Sequence, residues 1–170
     1  DIVIHLDPGM AFGTGTHPTT AMCIQLIEDF LRPGDSFLDV GTGSGILMVA
    51  AAKLGAGEMT GIDTDEVAVR VSRENLEKNQ IPQDLYTIAC TTLDKTYAKA
   101  YDIIAANIIA QVIVDICPQL CKRMTPRTTA VLSGIIVDRL GEVEQALKEN
   151  GLSIIDQKRD GEGVALAVKK

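Results

Sequence analysis

Three glycines at alternate positions, Gly41, Gly43 and Gly45, follow directly on the apolar run Phe37-Leu38-Asp39-Val40. A second apolar run, residues 45–54, begins where the glycines end. A strand, a sharp glycine turn and a helix in immediate succession is the entry unit of an open α/β sheet. Glycines at such a turn let the backbone reverse tightly and let a ligand approach it closely. A tight strand-to-helix turn without a ligand has the same local pattern, so the loop alone does not settle function.

The rest of the chain continues the alternation of short apolar runs and amphipathic helical stretches, which predicts a mainly parallel sheet. Strands are expected at 37–41, 58–62, 85–90, 101–106 and 128–133, with helices at 45–54, 65–79, 109–123 and 138–149 between or after them. Asn150-Gly151 is a usual helix-ending pair. Two last strands, 152–158 and 163–168, are joined by Asp160-Gly161-Glu162-Gly163, which reads as a tight turn. A further helix at 18–31 precedes the first strand. Pro18 suits its first position, Cys23, Leu26, Ile27, Phe30 and Leu31 share a face, and Pro33-Gly34-Asp35 ends it. Five parallel strands and a closing hairpin follow the order of elements in class I methyltransferases. The expected architecture is therefore a Rossmann-like seven-stranded sheet, mostly parallel with an antiparallel last strand, and helices on both faces. No repeat or long linker interrupts it, so residues 1–170 read as a single domain: a leader at 1–17 and a core at 18–170.

Two details bear on the ligand. The spacing is G-x-G-x-G, with Ile46 at the third position of the dinucleotide fingerprint, and no G-x-x-x-x-G-K-[ST] is present. Arg32 is the sole Lys or Arg before Lys53, whereas Asp39 lies two positions before the first glycine. An acid without neighbouring cations suits a positively charged ligand. S-adenosylmethionine carries a sulfonium, an amino group and no phosphate, and the amides at Gly43–Ile46 are expected to meet its carboxylate. Asp63 falls at the end of the second strand, where a carboxylate faces a ribose in this topology; alternatively it caps the next helix, with Asp65 close by.

The leader contains Pro8, Met10 and the string Phe12-Gly13-Thr14-Gly15-Thr16-His17-Pro18-Thr19-Thr20. It is either a plain leader or, given Met10 and Phe12, a lid that folds over a cofactor and excludes water. Asn107 ends the fourth strand in Asn107-Ile108-Ile109-Ala110. Its amide carbonyl is placed to accept a hydrogen bond from a substrate amine; its other reading is the N-cap of helix 109–123.

A net charge of −7 argues against unaided binding of nucleic acid, which needs a basic face. An acidic surface suits a basic partner or simply favours solubility. No apolar run reaches the length of a membrane span and no signal peptide is evident, so a cytoplasmic location is expected. Cys23, Cys90, Cys117 and Cys121 show no C-x-x-C pairing and read as free buried thiols; with only His5 and His17 beside them, no metal site is expected.

The string Pro8–Thr20, the glycine loop 39–47, Leu54-Gly55-Ala56, Asp63-Thr64-Asp65, Asn107–Ala110 and Leu132-Ser133-Gly134-Ile135 together resemble the ribosomal protein L11 methyltransferase family, in order over roughly residues 5–140. The resemblance implies methyl transfer from S-adenosylmethionine to lysine side chains and the N-terminal amine of that ribosomal protein. It implies cofactor contacts at Thr20, Gly41, Asp63 and Asn107, with Thr14, His17 and Gly43 nearby. The cofactor set expected from the residues and the resemblance together is Thr14, Thr20, Asp39, Gly41, Gly43, Gly45, Ile46, Asp63 and Asn107. Asn107 orients the amine and His17 is the candidate base. Two departures stand out. The family's separate N-terminal recognition domain is not expected within residues 1–170, and Glu162-Gly163 stands where the family tends to have an acid followed by Trp. Other substrates in view are a small-molecule amine or another protein. The rival classes are a non-catalytic S-adenosylmethionine-binding module and a nucleotide-dependent oxidoreductase, which the fingerprint spacing opposes.

Overall fold

A computed structural model of the chain describes residues 2–5 and 18–170. The glycine-loop unit forms as the sequence predicts: strand β1 (Phe37–Val40) leads into helix α2 (Ile46–Lys53). Nearly every α2 side chain is apolar, and the helix lies buried from Ile46 through Ala51, as a helix without a polar face must. Helix α1 (Pro18–Phe30) precedes β1 and buries Met22, Cys23, Leu26 and Ile27. After α2 come β2 (Met59–Asp63), α3 (Glu66–Lys78), β3 (Tyr86–Cys90), β4 (Ile103–Asn107), α4 (Ala110–Lys122), β5 (Thr129–Ile136), α5 (Leu140–Glu149), β6 (Ser153–Asp160) and β7 (Gly163–Lys169).

The seven strands form one sheet in the order β3-β2-β1-β4-β5-β7-β6. β3 through β5 are mutually parallel, and β7 enters antiparallel between β5 and β6. Alternation along β1 divides the core. Phe37 faces the cluster built with α1, α2 and α3, whereas Leu38 and Val40 face that of α4 and α5. Helices therefore cover both faces, as expected.

The order of strands reverses between β1 and β4, and ligands of open α/β sheets bind outside the carboxyl ends at such a reversal. Val40 pairs with Ala106, so Gly41 and Asn107, one residue further on each strand, lie side by side at that point.

Three local features differ from the sequence reading. β5 runs to Ile136 rather than ending at 133, because an irregularity between Leu132 and Ile135 lets it resume pairing with β7. Gly134 sits in that irregularity at φ 83, a conformation that favours glycine in a strand that bends. The helix expected from 138 starts instead with a 3-10 turn, Val137–Arg139. Cys90 is exposed, whereas Cys23 and Cys117 are buried as free thiols. Among the described residues, no helix is long and apolar enough to cross a membrane.

Candidate active site

The glycine loop is held by its own backbone and by one carboxylate. Gly41 and Thr42 N–H both donate to the carbonyl of Ile62 on β2, at 2.8 and 2.9 Å. Gly41, Gly43 and Gly45 take φ values of 76°, 55° and 80°, the left-handed region that glycine enters without penalty. The Asp63 carboxylate then bridges two segments. Its Oδ2 accepts from Gly43 N–H and its Oδ1 from Asp65 N–H, both at 2.9 Å. The N-cap of α3 is Asp65, which accepts from Val67 N–H at 2.9 Å, so the capping alternative for Asp63 does not hold. Each Asp63 oxygen keeps lone-pair capacity beyond its backbone bond.

One expectation about this loop is corrected. Gly43 N–H is committed to Asp63, and Gly45 N–H donates to Thr42 O at 2.8 Å. These two amides are therefore not presented to an incoming carboxylate.

Asn107 is oriented by α1. Its Nδ2 donates to Thr20 Oγ1 at 3.0 Å, which leaves Oδ1 as an acceptor. The N-cap of α4 is Ile109, without a side-chain bond, so Asn107 is not the cap. Ser133 Oγ donates to Thr19 O at 2.6 Å, and Ile108 N–H to Ser133 O at 3.1 Å. These bonds draw α1, β4 and β5 together at one corner. A Cβ at Gly134 would lie 2.5 Å from Ile108 O and 3.0 Å from Asn107 Oδ1, so the missing side chain keeps these two acceptors clear.

Behind the loop lies a buried acid. Asp39 is 0% exposed, and neither oxygen has a hydrogen-bond partner among the described residues. Burial pushes its carboxyl up to about 7; Thr42 draws it part of the way down, and the Asp63 carboxylate adds to the rise. The Thr42 hydroxyl is close enough to exert that pull but lacks hydrogen-bond geometry. Cys23 on α1 is pushed up by burial and by the Asp39 carboxylate.

Sequence reasoning missed two supporting side chains. Asn75 on α3 donates from Nδ2 to Ser44 O at 2.7 Å and so holds the glycine loop from behind. Arg123, 1% exposed at the end of α4, donates to Leu93 O at 2.5 Å, to Thr96 O at 3.0 Å and to Thr96 Oγ1 at 2.8 Å. It thereby fixes the segment after β3. An Arg at a helix C-cap, next to Lys122, reads as a favourable charge on the helix dipole, which hid its role.

These elements surround one cleft of about 1080 Å³. It is lined by Gly41, Gly43, Ile46, Asp63 and Asn107 of the expected set, and also by Thr91, Thr92 and Leu93 after β3. Thr20 reaches the cleft only through Asn107, and Asp39 and Gly45 lie behind the loop. Thr14 and His17, and the rest of the expected lid before Pro18, are outside the described residues. The charged side chains among the described lining residues are Asp63, Asp65, Asp160 and Glu162, with no Lys, Arg or His. Such a cleft disfavours phosphate and favours cationic or neutral ligands.

The strand order, the glycine loop after β1 and the carboxylate after β2 define a Rossmann-like class I methyltransferase fold. The sequence profile of ribosomal protein L11 methyltransferase (PrmA) matches residues 1–170. The chain belongs to that family. The ribosomal protein L11 methyltransferase of Desulforapulum autotrophicum is 52% identical over 169 residues, covering 99% of this chain and 56% of that protein. That of Pelotomaculum thermopropionicum is 43% identical, covering 99% of this chain and 54% of its own length. The chain thus spans just over half the length of these curated relatives. The crystal structure of ribosomal protein L11 methylase from Lactobacillus delbrueckii subsp. bulgaricus superimposes with a TM-score of 0.92 at 36% identity, covering 98% of this chain and 84% of that one. Magnesium protoporphyrin IX methyltransferase from Synechocystis, solved with bound SAM, shares the fold alone, with a TM-score of 0.72 at 18% identity over 89% of this chain and 77% of that one.

Proposed function

We propose that this chain is the catalytic part of an N-methyltransferase that takes S-adenosylmethionine as cofactor and modifies amines of ribosomal protein L11, on lysine side chains and the N-terminus. The observation that carries the reading is the cleft itself: glycine loop, Asp63 and Asn107 meet there, and every charged described residue lining it is a carboxylate.

S-adenosylmethionine supplies an electrophilic methyl on a cationic sulfur and carries no phosphate, which fits a cation-free cleft. In this reading the Asp63 carboxylate accepts from the ribose hydroxyls through its remaining lone pairs. Gly41 and Gly43 keep side chains out of the space beside the loop. Thr92 and Leu93, the latter held by Arg123, wall the adenine side.

Asn107 Oδ1, oriented by Thr20, accepts an N–H of the substrate amine. That bond turns the nitrogen lone pair toward the methyl, which is catalysis by alignment. A protonated lysine has no lone pair, so the amine must enter neutral or lose its proton on arrival. The apolar side chains of Ile108 and Ile109 beside Asn107 disfavour the ammonium form. His17 is the side chain assigned to receive that proton.

The test is tritiated-methyl transfer from S-adenosylmethionine to purified ribosomal protein L11, run beside a panel of small amines. Label in the lysines or N-terminus of the ribosomal protein is the expected result. Label only in small amines would move the substrate to a small molecule. Cofactor binding without any S-adenosylhomocysteine would reduce the chain to a binding module.

A further inference from the structure

The cleft has an apolar lip on the side away from Asp63. Ile109 is 67% exposed, Ile136 50% and Val112 38%, and all three line the cleft. Ile109 and Val112 belong to the start of α4, and Ile136 ends β5. Sheet register places an acid beside this lip. Ile136 pairs with Gly163 on β7, and Gly163 pairs with Asp160 on β6, so the three stand in a row across the sheet. Glu162 is joined to the same corner, because its carbonyl accepts from Val137 N–H at 2.8 Å. Two of the nearby cations are drawn elsewhere. Arg139 makes two bonds to the Glu142 carboxylate, at 2.9 and 2.7 Å, and Lys158 lies 3.6 Å from Asp29. None of Arg139, Lys158 and Arg159 lines the cleft.

We propose that this lip docks a basic, lysine-bearing segment of the protein substrate, with the lysine stem against Ile109, Val112 and Ile136 and the flanking cations against Asp160 and Glu162. The inference rests on the methyltransferase reading and adds to it a recognition surface within the catalytic part. The match is one of shape and charge together. A lysine presents methylenes followed by an amine, and the lip presents apolar walls that lead to Asn107 Oδ1. Exposed isoleucines rimmed by acids, on a chain of net charge −7, complement a basic segment and repel an acidic one. Attraction at this exposed rim is sensitive to salt, because Asp160 and Glu162 lie in water.

The test uses a dye-labelled short peptide with one lysine between arginines, measured by fluorescence anisotropy without cofactor, so that docking is read apart from catalysis. Two variants are compared with the parent chain, Ile136→Ser and the double charge reversal Asp160→Lys with Glu162→Lys. Their side chains are exposed, so the fold should persist, and circular dichroism with thermal melts checks that it does. Peptide affinity is expected to fall about fivefold in each, and the charge reversal should also remove its dependence on salt. Unchanged peptide affinity in both variants would overturn the proposal. So would equal binding of a peptide with glutamates in place of the arginines. A concentration-dependent dimer that Ile136→Ser abolishes would assign the lip to a second copy of the chain and overturn it as well. Peptide bound at the lip but never methylated would leave the docking surface standing while removing the methyltransferase reading. Methylation with a KM that neither variant alters would do the reverse.

Discussion

Replacing Asp63 with Ala removes one carboxylate that serves two parts of the site at once. Its oxygens accept from Gly43 and Asp65 N–H, both at 2.9 Å, and their remaining lone pairs are assigned to the ribose. A hydrogen bond to a charged group contributes roughly 1.5–3 kcal/mol, and each 1.4 kcal/mol is about tenfold in affinity. Losing a single ribose bond therefore predicts a drop of at least about tenfold in S-adenosylhomocysteine affinity. The loss should be larger if the loop also loosens around Gly43. Asp63→Asn keeps one acceptor but turns an NH2 toward one of the two backbone N–H groups. Its affinity should fall between parent and Ala, closer to Ala. Isothermal titration calorimetry reads both variants, and a 2′-deoxyribose analogue separates loop from ligand. The analogue should bind worse than S-adenosylhomocysteine to the parent, and no worse to Asp63→Ala. Parent-like affinity in Asp63→Ala, or an equal analogue penalty in both proteins, would refute the ribose assignment.

Three further outcomes are expected. Gly41→Ala should lower stability by about 1–2 kcal/mol for the left-handed backbone, because its φ is 76° and its new Cβ would lie 2.7 Å from Ile108 Cγ2; a thermal melt identical to the parent would contradict this. Arg123→Leu removes the donor to the Thr96 carbonyl, whereas the Leu93 carbonyl keeps the Thr96 N–H and hydroxyl, so the cost is about 1–3 kcal/mol for one unsatisfied group. Urea denaturation should show the loss and the KM for S-adenosylmethionine should rise, whereas unchanged values for both would refute the bracing role. The folded-state carboxyl of Asp39 is raised to about 7, so its contribution to stability is fully present below the ordinary carboxylate range and is lost as pH rises to about 7. Asp39→Asn should therefore match the parent in thermal melts near pH 4 and exceed it near pH 8; a pH-independent difference would contradict the shift.

Much of this arrangement was legible in the chain. Period and punctuation place all seven strands and five of the helices because each apolar run is short and each is bounded by a glycine, proline or cap. Asp63 and Asn107 stand out in the sequence because they end strands at the carboxyl edge of the sheet, where ligands of open α/β sheets bind, and both line the cleft. What was illegible depends on tertiary geometry. Nothing local marks Asn75 as the partner of Ser44 O, since an Asn on an amphipathic helix reads as solvent-facing. Asp39 reads as a direct ligand from its place before the glycines, yet strand alternation turns its side chain into the sheet face beneath α1 and α2. The continuation of β5 past Gly134 was hidden because a strand that shifts register breaks the simple alternation. The lip of Ile109, Val112 and Ile136 joins elements distant in sequence, so only the sheet register assembles it.

The most direct test of the account compares Asn107→Ala with the parent by single-turnover methyl transfer to ribosomal protein L11, with cofactor affinity measured on the same preparations. Asn107 Oδ1 is assigned to the acceptor amine, and alignment matters most in the transition state. The rate of methyl transfer is expected to fall by more than tenfold, at roughly 1.4 kcal/mol or more, while affinity for S-adenosylmethionine changes much less. Loss of affinity equal to the loss of rate would mean that Asn107 serves the cofactor instead, and a parent-like rate would contradict the account at its centre.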